Sequence, residues 1–73
     1  MRTLRIRAVP GGWMLDNDLT GAPLMFRSGG AAERKARELA RLHAVQGEAA
    51  EVLVHDRAGD LVGAIALVAR PRR

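Results

Sequence analysis

The stretch from Ser28 to Gln46 constrains the fold most, because it is the one segment of the chain with sustained helical periodicity. Ser28 is a good N-cap, since its hydroxyl accepts a bond from a free backbone amide of the first turn, and the run after it is rich in Ala, Glu, Arg, Lys and Leu. Gly47 supplies the stop. At about 100° per residue, Ala32, Ala36, Leu39, Ala40 and His43 fall in one stripe, with Ala31 and Leu42 on its shoulder and Arg34, Arg37 and Arg41 opposite. A packing face made mostly of alanine lets the helix approach its partner closely. It contributes little apolar area itself, at roughly 25 cal/mol per Å² buried, so the partner must supply the large side chains. A sheet does this. Gly29 and Gly30 weaken the first turn by up to about 1 kcal/mol each relative to Ala.

The remaining apolar runs read as strands. From Arg2 to Val9, Leu4, Ile6 and Ala8 alternate with Thr3, Arg5, Arg7 and Val9. Pro10-Gly11-Gly12 breaks this strand, and Trp13-Met14-Leu15 restarts as the second arm of a hairpin. A polar turn over Asp16-Asn17-Asp18 and Thr20-Gly21 leads to a third strand, Pro23 to Phe26, with Pro23 at its first residue. After the helix, Glu51 to His55 forms a fourth strand, and Asp56-Arg57-Ala58-Gly59 a tight turn. The fifth strand, Leu61 to about Val68, is apolar or small on both faces. Leu61, Gly63, Ile65 and Leu67 share one face, Val62, Ala64, Ala66 and Val68 the other; nothing disrupts the alternation, and Gly63 is able to form a bulge.

The expected architecture is a single α+β domain over residues 1–68, in the order β-β-β-α-β-β. It has an antiparallel sheet of four to five strands with one helix packed across one face, and residues 69–73 form a basic tail expected to be disordered. The expected core is Leu4, Ile6, Trp13, Leu15, Leu24, Phe26, Ala32, Ala36, Leu39, Ala40, Val52, Val54 and Leu61 or Ile65. One helix leaves the second sheet face without cover, which the tail or a second copy of the chain must provide.

Composition narrows the function classes. At 73 residues the chain is near the lower limit for one self-sufficient core. With no cysteine there is no disulfide or thiolate metal site, and two histidines cannot alone close a four-ligand zinc site, so no cofactor or metal is expected. MRTLRIRAVPGG interleaves charges with apolar residues, unlike a signal peptide, and Leu61 to Ala69 is about half of the roughly 20 residues a spanning helix needs. The expectation is a soluble cytoplasmic protein with no membrane partner. Net charge is +4 and the pI about 11.4, which favours polyanions. Three of the eleven arginines lie in the tail, however, and removing them leaves +1.

Val9-Pro10 with Gly12-Trp13 stands at the front of the chain, and Phe26 and Ser28 lead into Ala32, Ala36, Arg37, Glu38, Leu39 and Ala40. Glu51 to His55 follows, then Arg57, Gly59 and Leu61. In this order and spacing, over about residues 6 to 62, the chain resembles the short bacterial proteins grouped as domain of unknown function 2188. It departs from their pattern in the Gly47–Ala50 loop, in Gly29-Gly30 and in the apolar end from Gly63 to Val68. The resemblance implies a β-rich sheet with one helix; the family is uncharacterised, so the resemblance points to no particular activity.

No residue constellation assigns a reaction, and an enzyme is not expected. His43, on the apolar stripe, reads as a packed boundary histidine with one nitrogen bonded, and His55, beside Asp56, as a turn contact; the alternative is a shared proton-carrying site. Glu33–Arg37 and Arg34–Glu38 are spaced as helical ion pairs. Two binding readings remain. One is a homodimer through Val62, Ala64, Ala66 and Val68; the other is nucleic-acid contact through Arg5 and Arg7 on the sheet and Arg70, Arg72 and Arg73 in the tail. With a single Trp and a single Phe, the sheet lacks an aromatic platform for stacking bases.

Overall fold

A computed structural model describes residues 2–17 and 21–67. The elements are β1 (Arg2–Val9), β2 (Gly12–Asn17), β3 (Leu24–Phe26), α1 (Gly29–Val45), β4 (Ala50–His55) and β5 (Leu61–Leu67). The strands form one five-stranded sheet in the order β3-β2-β1-β4-β5, with the helix packed across one face. Element order and fold class are as the sequence implies. Val68, Arg70, Arg72, Arg73 and the turn residues Asp18 and Thr20 lie outside the described residues.

The sheet is mixed rather than antiparallel, because β4 docks parallel to β1. The reason is the connection. Two antiparallel steps leave β3 running the same way as β1, and the helix carries the chain back to the end where β1 began. A strand starting there beside β1 must run parallel to it, and the 17-residue helix supplies the long crossover that such pairing requires.

Both helix ends are closed by the chemistry of their residues. The Ser28 hydroxyl accepts from the Ala31 amide at 3.1 Å. At the other end Gly47, with φ +89°, lets its own amide donate to the Ala44 carbonyl at 3.1 Å and the Glu48 amide to the His43 carbonyl at 2.9 Å. This pair of bonds is a Schellman motif. Gly29 has a role beyond weakening the first turn: a Cβ there would sit 3.3 Å from the Trp13 ring, so the glycine admits the indole.

Ala32, Ala36 and Ala40 are fully buried against Leu4, Ile6, Leu15, Ala50 and Val52, while Trp13, Phe26, Leu39, Val54, Ile65 and Leu67 pack around them. Of the two alternatives for the last core position, Ile65 takes it, and the expected core is corrected at Leu24. Leu61 is 56% exposed, because a register shift between Val54 and His55 pairs Gly63 with Val54 but Leu61 with His55. One residue of slippage moves a side chain to the other face, so Ile65 takes the core position. Leu24, on the three-residue edge strand β3, is exposed at 37% because no strand lies beyond it. Glu33 bonds Arg37 at 2.8 Å as its spacing implies, whereas Glu38 pairs with Lys35 at 3.3 Å rather than with Arg34. Such exposed pairs contribute about 0–1 kcal/mol each.

Candidate binding surfaces

The histidines do not form a site. His43 is at the end of α1 that leads into β4, and His55 at the far end of that strand, about 17 Å on at roughly 3.3 Å per residue. His55 meets the Gly59 carbonyl through Nδ1 at 3.2 Å, the expected turn contact. Asp56 serves the backbone of the turn. One Asp56 oxygen, Oδ1, accepts the amides of Ala58 and Asp60, both at 2.9 Å, and Gly59 takes φ +88° to close the turn.

His43 is packed as expected, at 2% exposure, but neither ring nitrogen has a hydrogen-bond partner among the described residues. A buried polar group without a partner loses its hydration and gains nothing in exchange, at about 1–3 kcal/mol. His43→Leu, similar in size and a better helix former, is therefore expected to stabilise the domain by about 1–3 kcal/mol. The urea midpoint should rise at unchanged m-value. A lower midpoint would show that the imidazole has a bonding role in solution.

Among the described residues, no element covers the sheet face away from the helix. Period two places Thr3, Arg5, Arg7, Met14, Asp16, Met25, Glu51, Leu53, Ala64 and Ala66 on it, as the cross-strand registers confirm. Arg5 and Arg7 are both exposed here, side by side on the central strand. Asp16 stands opposite Arg5 in register, yet its carboxylate bonds Arg7, at 2.9 Å. Arg5 has no ion-pair partner among the described residues. Trp13 and Phe26 are paired on the helix side, so no aromatic ring lies on the open face.

The open face ends in an unprotected edge. β5 is the outermost strand, and no charge or proline interrupts Leu61–Leu67. The opposite edge, β3, is only three residues long and is flanked by Pro23 and Arg27. Of the residues singled out on β5, Ala64 and Ala66 share the open face and Val62, at the register shift, is 61% exposed.

Sequence reasoning missed Arg57. From the β4–β5 turn it reaches over Trp13, its guanidinium carbon 5.6 Å from the ring centroid, and it closes a cavity of about 300 Å³ with Arg5, Arg7, Ala8, His55, Asp56 and Gly59. Nothing local marks it. A turn arginine reads as solvated until the parallel docking of β4 beside β1 brings the turn to the end of the first strand.

Fold and surfaces together define a two-layer α+β domain with one sheet face and one sheet edge left uncovered among the described residues. No family model, no curated protein and no solved structure matches the chain. Among the described residues, no group of three or more His, Cys, Asp or Glu side chains could hold a metal ion, and no helix is long and apolar enough to cross a membrane.

Proposed function

We propose that this domain acts by binding rather than catalysis, and that its first partner is a second copy of itself, paired edge to edge through β5. The supporting observation is the asymmetry of the two sheet edges. Proteins keep edge strands from pairing by making them short, charged or proline-bearing; β3 uses the first device and has proline and arginine at its ends, while β5 has neither charge nor proline along seven residues. An antiparallel two-fold centred on Ala64 sets Ala64 against itself, Gly63 against Ile65 and Val62 against Ala66, with no like charges opposed. The small residues let two strands meet without collision, and the five-stranded sheet becomes one continuous ten-stranded sheet.

Light scattering at micromolar concentration is expected to give twice the 7.9 kDa chain mass. Ala64→Lys, which would oppose two ammonium groups across the two-fold, is expected to give the single-chain mass with an unchanged far-UV spectrum. A monomeric native chain, or a lysine variant that remains dimeric, would overturn the proposal.

A second reading is nucleic-acid contact through Arg5, Arg7 and the arginines Arg70, Arg72 and Arg73. The observation favouring it is the exposed pair of arginines on an open face, although Asp16 answers one of them. Such contact must weaken steeply with salt, which gel-shift titration at two salt concentrations measures.

A further inference from the structure

We infer that the cavity between the end of β1 and the β4–β5 turn is a phosphate-binding site whose cationic groups are Arg5, Arg7 and Arg57. It sharpens the polyanion reading and stands apart from the dimer.

Three arginines, two on β1 and one in the β4–β5 turn, are among the residues lining a single cavity of about 300 Å³, at the small end of the range for ligand sites. A lining with three arginines and one acid favours an anion, and guanidinium forks match the oxygens of a phosphate group in particular. The nearby acids do not remove the charge. Asp56, the one acid in the lining, uses Oδ1 to hold the amides of Ala58 and Asp60. Asp16 bonds Arg7. Of these three arginines, Arg5 and Arg57 have no carboxylate partner among the described residues.

Arg57 is also held in place before any ligand arrives. Its guanidinium lies over Trp13, whose ring is in turn seated against Gly29, so part of the ordering cost of binding is already met in the free domain. The same contact provides a reporter. Trp13 is the only tryptophan in the chain, and an anion that engages Arg57 must change the electrostatic surroundings of its ring.

The phosphate can belong to a small phosphate ester or to a nucleic-acid backbone, and one experiment separates these sources. Trp13 emission is followed while the full chain is titrated with inorganic phosphate, and separately with a short DNA duplex. The comparison uses the native protein, Arg5→Gln in the cavity, and Arg41→Gln, which makes the same charge change on the solvent face of α1. Phosphate should produce a saturable change in the native protein and in R41Q, with affinity about tenfold lower in R5Q, the loss of one charge-assisted contact. A duplex that saturates the same signal and competes with phosphate identifies a backbone source; a duplex that does neither identifies a small ester. No saturable change with either titrant, or equal weakening in R5Q and R41Q, would overturn the inference, the latter by showing only the diffuse effect of net charge. The dimer is read by mass and the anion by Trp13 emission, so the two proposals fail separately.

Discussion

Ile6→Ala is expected to cost about 2–5 kcal/mol of folding free energy, toward the upper end. Ile6 is fully buried on the central strand, with Leu15 opposite it on β2, Val54 opposite it on β4 and the alanine stripe of α1 above. The size of the loss depends on how far the surroundings collapse into the cavity. Here they have little means to do so, because Ala32, Ala36 and Ala40 have no side-chain rotamers to rearrange and the sheet holds the flanking strands at fixed spacing. For a chain of this length, total stability of about 0.05–0.15 kcal/mol per residue gives about 4–11 kcal/mol, so one such cavity could consume most of it. Urea denaturation should show a much lower midpoint at nearly the same m-value. A loss under about 1 kcal/mol would mean that the helix settles bodily onto the sheet.

Gly12→Ala is expected to destabilise the domain by about 1–3 kcal/mol through a different mechanism. Gly12 does not take a positive φ, so alanine is not excluded by its torsions. The obstacle is contact: a Cβ there would lie 2.5 Å from the Phe26 carbonyl oxygen, a backbone atom that moves only if β3 moves. The damage should therefore concentrate in β3, and amide exchange should accelerate across Leu24–Phe26 more than in β1 or β4. Uniform exchange rates, or an unchanged midpoint, would refute this account. At Gly30, by contrast, the nearest atom to an added Cβ is a flexible Arg34 nitrogen at 3.8 Å, so glycine there has no comparable steric reason.

These contrasts show which features were legible in the sequence. The helix could be read because its determinants are local: a cap at Ser28, a stop at Gly47 and an alanine spacing that the sheet then buries. The limits of β1 and the shared face of Arg5 and Arg7 follow from period two alone. The parallel pairing of β4 with β1 did not show, since hairpin chemistry fixes only strands adjacent in sequence and gives no sign of where a crossover lands. The choice between Leu61 and Ile65 stayed open, and Leu61 was set on the face of Gly63, because the alternation runs unbroken in the sequence, whereas the register shift is a property of the pair β4 and β5. The cavity stayed hidden for the same reason as the parallel ladder. Arg57 is fifty positions from Arg7 along the chain and meets it only through β1 and β4.

That ladder also sets the order in which the molecule can assemble. β1–β2, β2–β3 and β4–β5 are hairpin neighbours that close short loops, but Arg2 opposite Ala50 and Ile6 opposite Val54 require nearly fifty residues to be drawn together before any contact repays the lost entropy. On a chain synthesised from its N-terminus, the first three strands and the helix exist while one side of β1 has no neighbour. The central strand of the finished sheet is thus an exposed edge until β4 emerges, and in that interval Leu4 and Ile6 have Leu15 and the alanine helix for cover but not yet Val52.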